Sequence, residues 1–483
     1  MYEQILSIKA KALYPIVGGY NGYPLSLTVG YEEPIRATEI KGLWKWWTRI
    51  LLESMIFKHK SSVIPYSEID KVMEDVFGSM DKKSVVRLNV RVDDDFINVV
   101  EKIWHFLRSF FQRGQVVNQR NVSGGINIII QAQNLNIYKI NINNSNNGLN
   151  VRVRRADRDP KPNDIPIVID FNDKKISING IDEKLEGLDK YLTIQNIKEF
   201  LSIPRIKLDM LKYNNIGFKV GNLGDYKLNE LIRIILDLIT VVLIPKEVEF
   251  TINVEVNKER LKNKNNELDI NKVKKLKFAL YSLFVYLILG GIGRMINRGM
   301  GSLSPTQIEC HDDDLCKDLK LLFENFSKIS NEDGIIEFIK GLVDFNKLEE
   351  LSENYINEIR IASETNNVFY ISDYLLKHFY AKEIKDPLNP LKCLKILGEL
   401  TLSNNVNDPT FAREILGSPR KSGDIRLPSA FRFKILYVAN KYYLIWYLLD
   451  RYNITDPSHS FIKKYENEIN NLINKAKQNL GGV

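Results

Sequence analysis

The sequence predicts an α+β fold of more than one domain, and three observations carry that prediction. Period-two alternation of apolar and polar residues recurs along the chain, as in ILSIKAKALY (Ile5–Tyr14) and EVEFTINVEV (Glu247–Val256), and marks half-buried strands. A strongly 3.6-periodic segment, Ala37–Phe57, lies between strands and marks an amphipathic helix. The chain has 483 residues, which at roughly 100–200 residues per domain suits two or three domains with cores of their own.

The elements follow in order. After the first strand comes a glycine-rich loop that runs to Pro34, and then the helix, with Thr38 placed to act as its N-cap. At about 100° per residue Ile40, Leu43, Trp44, Trp47, Ile50 and Leu51 gather on one helix face, and Lys41, Lys45 and Arg49 gather on the opposite one. Val72–Phe77 extends a short helix, and SVVRLNVRV (Ser84–Val92) alternates as a strand. From Asp93 to about Phe200 the composition turns Asn-rich and basic, as in NINNSNNG and RVRRADRDPKPND, which reads as an insertion carrying hairpins. An apolar helix is expected at Leu228–Ile244, the strand at Glu247–Val256 and a further helix at Lys272–Leu289, which runs into the loop GGIGRMINRGMGSL (Gly290–Leu303). Beyond Pro305 the sequence becomes helical and acidic, with helices near Leu315–Phe326, Gly334–Phe345 and Glu349–Ile361. The strands FRFKILYVA and YYLIWYLL, joined at Asn440-Lys441, read as a hairpin, and Ser460–Leu480 as a terminal amphipathic helix. The expected division is therefore 1–305, with an insertion over about 93–200, and 306–483.

Composition narrows the function. The 68 Lys and Arg against 60 Asp and Glu leave a net charge of +8, modest for this length, so the placement of the cations matters more than their sum. With 44% apolar and 27% charged residues neither disorder nor a membrane protein is expected. Phe278–Ile292 is the longest apolar run and falls short of the ~20 residues needed to span a bilayer. The first ten residues carry no export signal, so a cytoplasmic protein is expected. Three cysteines suggest a reduced protein without a disulfide framework. Cys310, His311 and Cys316 lie close together, but a structural zinc site needs four ligands and the remaining cysteine is distant Cys393. No catalytic triad or nucleotide fingerprint can be assembled: the 290–303 loop lacks GKS or GKT, and Gly291 and Gly293 have neither a third glycine at Ile296 nor a preceding strand. No cofactor, metal, membrane or small-molecule substrate is expected.

The remaining signal is basic residues on glycine-rich and helical ground. Gly290, Gly291 and Gly293 would let a polyanion approach the backbone, and Arg294 and Arg298 would pair with its phosphates. Arg36 precedes the helix N-terminus, whose free amides suit a phosphate, and the Lys41, Lys45, Arg49 stripe extends the charge. Trp44 and Trp47 belong to the core face, whereas Trp46 lies off it and is the candidate to stack on a base.

The strand, VGGYNG, IRATEIKGLWKWWTRIL, the FGS at Phe77–Ser79 and GGIGRMINRGMGSL together resemble the RAMP proteins of CRISPR effector complexes, in particular RAMP subunits of type III-B Cmr complexes. LGSPRKSGDIRLPSAFRFKI is similar to the family's second-domain loop, with Gly417-Ser418-Pro419 as the turn and Ser429-Ala430 replacing a Ser-Pro-like pair. The resemblance implies two ferredoxin-like domains, each resembling an RNA-recognition module. It also implies a non-catalytic subunit at the head of the complex, contacting the 3′ end of CRISPR RNA and the matching end of target RNA beside other Cmr RAMP subunits. By position, Arg36, Thr38, Lys41, Lys45 and Arg49 would form its first-helix RNA surface, Arg294 and Arg298 its glycine-rich loop, and Arg420, Lys421 and Arg426 its second-domain loop. Two alternatives stay open. One is a RAMP endoribonuclease, for which Glu32, Glu33 and His59 are the nearest candidates; the other is a scaffold whose basic loops meet acidic proteins.

Overall fold

The computed structural model describes residues 1–13, 35–60, 64, 66–92, 94–113, 126–132, 135–145, 148–155, 164–188, 216–220, 232, 235–236, 239, 247–293, 296–297, 299–358, 368–370, 375, 378–385, 389–401, 411, 415–416, 429–453 and 456–480. In chain order the elements begin with β1 (Glu3–Leu13), α1 (Ala37–Lys60), α2 (Tyr66–Phe77), β2 (Val86–Val92) and α3 (Asp94–Arg113). Next come β3 (Ile126–Ala132), β4 (Leu135–Ser145), β5 (Gly148–Arg155), β6 (Asp164–Asp170), β7 (Lys175–Ile178), β8 (Ile181–Lys184) and β9 (Ile216–Val220). They continue with β10 (Glu247–Val256), α4 (Ile270–Leu289), β11 (Ser302–Cys310), α5 (Asp313–Ser327), α6 (Glu332–Leu342) and α7 (Phe345–Ile356). The last are β12 (Val368–Tyr370), β13 (Tyr380–Ile384), α8 (Asn389–Leu400), β14 (Phe431–Val438), β15 (Lys441–Leu448), β16 (Asp450–Asn453), β17 (Asp456–Ser460), α9 (Phe461–Lys464) and α10 (Glu466–Leu480).

Two compact units emerge, one of residues 1–13, 35–92 and 249–483, the other of 14–34 and 93–248. In the first, four strands pair in the order β11-β1-β10-β2, with β1 antiparallel to β11 and β10 antiparallel to β2. Ion pairs from Lys11 to Glu249 (3.2 Å) and from Lys258 to Glu3 (3.2 Å) tie opposite ends of β1 and β10 together. With α1 joining β1 to β2 and α4 joining β10 to β11, the chain runs β-α-β-β-α-β, and the sheet order is that of a ferredoxin-like fold. Alternation explains the strands: Leu6, Ile8, Ala10 and Ala12 of β1 and Phe250, Ile252, Val254 and Val256 of β10 are buried. α4 is buried on every side from Phe278 to Leu289 and serves as the central helix. Trp44 pins α1 to it, donating from Nε1 to Ala279 O (2.6 Å) and Ser282 Oγ (3.2 Å). Among the described residues no helix is long and apolar enough to cross a membrane.

The expected boundary at 305 falls within β11, which pairs with β1 from Leu6 to Leu13. The C-terminal sheet, β13-β15-β14, meets this region through hydroxyl groups: the Ile435 and Tyr437 amides donate to Ser302 Oγ (3.0 Å) and Ser304 Oγ (2.8 Å). The β14–β15 hairpin turns at Ala439-Asn440, both at positive φ, one residue earlier than expected, because Lys441 already pairs with Val438. The terminal helix is broken at Tyr465 into α9 and α10. The helix expected at 228–244 is described only at residues 232, 235, 236 and 239, which are helical and buried.

One expectation is overturned outright. Cys310 and Cys316 form a disulfide with Cα atoms 5.7 Å apart, and Cys393 alone is free. β11 ends at Cys310 and α5 begins at Asp313, so the tight strand-to-helix turn brings Cys316, in the helix's first turn, back over the strand end. A composition-based argument cannot see this juxtaposition.

The second unit is a seven-stranded sheet in the order β8-β7-β6-β3-β4-β5-β9, antiparallel except at β3–β6. Ile128, Ile130, Ile140, Ile167, Ile169, Ile176 and Ile178 are fully buried, as are Ile103 and Leu107 of α3.

Candidate nucleic-acid interface

The start of α1 and the neck of the glycine-rich loop are neighbours. The helix begins at Ala37, and the Ile40 amide donates to Arg36 O (3.1 Å), so half-buried Arg36 occupies the N-cap position. Thr38 is therefore not the cap; it is exposed within the first turn. One residue on, Glu39 Oε1 accepts the amide of Gly293 (2.9 Å), tying the first turn of α1 to the loop.

The neck is closed by backbone. Gly291 bridges to Ser302, and the Ile292 amide donates to Gly301 O (2.8 Å). Gly301 sits at φ +59°, where a Cβ would collide with Ile292 O. At Gly290 a Cβ would lie 2.5 Å from Tyr286 O and 2.8 Å from Trp47 Nε1. These glycines serve the packing of the loop against its own chain, beyond any approach to a ligand. Buried Lys434 of β14 donates from Nζ to Leu287 O (2.6 Å) and Gly290 O (2.9 Å), capping the C-terminus of α4 where the helix dipole favours a cation. Burial holds its ammonium well below the usual lysine range. Tyr447 donates its hydroxyl to Leu289 O beside it.

The basic stripe of α1 is engaged within the protein. Lys41 Nζ donates to Ser84 Oγ (2.9 Å) and Val86 O (3.1 Å), and burial, with Lys45 nearby, lowers its pKa. Lys45 (3.5 Å) and Arg49 (2.6 Å) share Asp70 of α2, and the Arg49 guanidinium lies 4.6 Å from the centre of the Tyr66 ring. The face opposite the helix core is thus half-buried against α2 and β2. Trp44 and Trp47 are core residues, as expected. Trp46 does not stand open for a base, because the buried Arg432 guanidinium lies 4.9 Å from its ring and Trp47 meets it edge-on at 5.6 Å.

Arg294, Arg298, Arg420, Lys421 and Arg426 lie outside the described residues, as do Glu32 and Glu33. His59 pairs with Glu349 at 3.2 Å. The structure thus brings together Arg36, Thr38, Gly290, Gly291 and Gly293, and sets Lys45 and Arg49 around Asp70. Glu39, Lys434 and Arg432 escaped the sequence reading. A lysine and an arginine inside the otherwise apolar strand FRFKILYV were the available signal for the latter two. Glu39 gave none, since an acid in a first helical turn is ordinary.

Comparison with known proteins follows the same outline. The profile of the RAMP superfamily matches residues 9–304. The CRISPR system CMR subunit Cmr1 of Saccharolobus solfataricus is 31% identical over 518 residues, covering 95% of this chain and 97% of that protein. A chain of the type III-B Cmr-beta complex bound to cognate target RNA and AMPPnP, in the presence of single-stranded DNA, is 26% identical with a TM-score of 0.64 and covers 99% of each chain. A chain of Cmr-beta bound to cognate target RNA is 25% identical, again with a TM-score of 0.64, over 98% of this chain and 99% of that one.

Proposed function

The chain belongs to the RAMP superfamily and, within it, to the family of the CMR subunit Cmr1, and on that premise we propose that it is a non-catalytic RNA-binding subunit of a type III-B Cmr complex. It holds CRISPR RNA near its 3′ end together with the matching end of target RNA, at the head of the complex beside other Cmr RAMP subunits. The observation that carries this reading is the end-to-end match, 99% of each chain, to a Cmr-beta chain from a complex bound to target RNA.

The contact surface on this reading is the first turn of α1 with the glycine-rich loop. Arg36 and Thr38 present donors at the helix start, Arg294 and Arg298 add guanidinium groups for phosphates, and Arg420, Lys421 and Arg426 extend the surface. Glu39 holds the loop at the helix start. Lys41, Lys45 and Arg49 act mainly through α1, by fixing it on β2 and α2, and add a diffuse positive field. Binding of this kind follows the backbone and tolerates sequence, with strong salt dependence.

Crosslinking of the assembled complex carrying 3′-end-labelled guide RNA is expected to label peptides spanning residues 36–49 and 290–303. Labelling confined to other subunits would refute the placement and favour a scaffold. The Arg294→Ala/Arg298→Ala variant is expected to weaken single-stranded RNA binding and to flatten its salt dependence. Both RNAs should stay intact on incubation with the chain and divalent metal; cleavage abolished by substituting Glu32, Glu33 or His59 would make it a nuclease.

A further inference from the structure

The glycine-rich loop is laid along one strand of the C-terminal sheet. Among the described residues β14 is an outer strand of β13-β15-β14, paired with β15 on one side. Alternate residues of an antiparallel strand direct their backbone groups to the same edge. On β14 the amides of Phe433, Ile435 and Tyr437 are all taken by the loop and the strand it leads into. Phe433 N–H donates to Asn297 O (3.3 Å), Ile435 N–H to Ser302 Oγ (3.0 Å) and Tyr437 N–H to Ser304 Oγ (2.8 Å). Buried Lys434, between them, holds the loop's entry through Leu287 O (2.6 Å) and Gly290 O (2.9 Å). One short stretch of strand thus grips the loop where it begins, at Asn297 and where it ends.

The spacing of these contacts shapes the loop. Phe433 and Ile435 are about 6.6–6.8 Å apart along the strand, whereas the five residues from Asn297 to Ser302 would reach roughly 17 Å if extended. The surplus chain is taken up in a turn. Gly299 and Gly301 lie at φ +81° and +59°, where a side chain is strained, and the Gly299 amide donates to Ile296 O (3.3 Å). Buried Ser302 ties that turn to the strand, because its hydroxyl donates to Gly299 O (2.7 Å) while accepting the Ile435 amide. An apolar residue at 434, the ordinary choice inside FRFKILYV, would withdraw the donor from both carbonyls at the end of α4.

We propose that β14 is the template that holds the glycine-rich loop in its RNA-binding arrangement, with Lys434 as a positioning residue and Ser302 as the tie between turn and strand. This rests on the reading of the loop as an RNA contact and extends it, since the C-terminal sheet then takes part in RNA binding through the loop. Loss of either tie lets the loop populate other arrangements, and apparent affinity falls with the fraction that is competent.

The test uses the full chain and a fluorescein-labelled single-stranded RNA of mixed sequence, with affinity read by anisotropy across a salt series. Lys434→Met, similar in length but without donors, and Ser302→Ala are each expected to bind about fivefold more weakly, the equilibrium worth of about one net hydrogen bond. Their log–log salt slopes should match wild type, because the bound state neutralises the same phosphates and only its population has fallen. Arg294→Ala/Arg298→Ala flattens the slope, and in that background Lys434→Met should add less than about twofold, since a residue acting through the loop loses its effect with the loop arginines. Cys310→Ser/Cys316→Ser, a destabilised control at the far end of β11, should keep wild-type affinity. Circular dichroism and thermal melts check that each variant is folded, and if Lys434→Met does not fold, Ser302→Ala decides. Wild-type affinity in both variants, with the arginine variant still weakened, overturns the template alone. Equal weakening in the disulfide variant would assign the effect to stability, and a flattened slope in Lys434→Met would make the lysine a phosphate contact; either overturns the proposal. An arginine variant that binds as tightly as wild type overturns the loop as an RNA contact and this inference with it.

Discussion

Glu53 offers a sharp test of how α1 is built. It lies in the second half of the helix, 1% exposed, and its Oε1 has no hydrogen-bond partner. Burial pushes its carboxyl from 4.5 up to about 9, opposed only in part by a backbone hydrogen bond at Ile64 and by the Arg49 charge. Between those values the folded protein holds a proton that the unfolded chain releases. Stability is therefore fully present below the unfolded pKa and falls as pH rises towards the folded one, by about 1.4 kcal/mol per pH unit. Integrated from 4.5 to pH 7, the loss is about 3 kcal/mol. Glu53→Gln removes the titration and keeps the shape, so it is expected to stabilise the protein at neutral pH by up to that amount. Urea unfolding followed by tryptophan fluorescence, which reports Trp44, Trp46 and Trp47 on the same helix, gives the comparison. From about pH 5.5 to 8.5 the gap between variant and wild type should widen by about 4 kcal/mol. Parallel pH profiles for the two proteins would refute the reasoning and mean that the carboxylate is ionised in the fold.

Two further perturbations address the loop neck at one end of β11 and the disulfide corner at its other end. Gly290→Ala puts a methyl group against Tyr286 and Trp47 and should cost about 1–3 kcal/mol in urea unfolding, whereas Gly42→Ala in α1, with nothing within 4 Å of the new Cβ, should stabilise by about 0.5–1 kcal/mol; equal effects would contradict the packing of the loop neck. Cys310→Ser/Cys316→Ser opens a loop whose ends are 6 apart in sequence and is expected to cost about 2 kcal/mol, and alkylation of the unreduced, denatured wild-type chain should modify Cys393 alone.

The sequence carried much of this architecture in its periodicities. The β10 strand, Glu247–Val256, has the limits that alternation assigns it, and α1 buries Ile40, Trp44, Trp47, Ile50 and Leu51 as the 3.6-residue period requires. Local repeats of this kind are legible because each residue's side is set by its own backbone step. Capping is less so. Thr38 has a favourable chemistry for an N-cap, yet the helix starts one residue before it, because the turn is decided by how the preceding chain enters the fold.

What the sequence by itself determined is the strongly periodic elements, β1, α1, β2, β10 and α4, the buried faces of β1, α1 and β10 and, through its motifs, the RAMP family; the helix α3, inside the stretch read as a hairpin insertion, was not among them. What only the tertiary structure decided is how the charges are used. Asp70 meets Lys45 and Arg49 because α2 packs on α1; Lys434 caps α4 because β14 lies across the helix end; Arg432 reaches Trp46 through a contact that no local pattern encodes. The physical reason is range. Burial period is a property of a few consecutive residues, whereas the partner of a charge or ring face is chosen by whichever distant segment the packed core brings within a few ångströms.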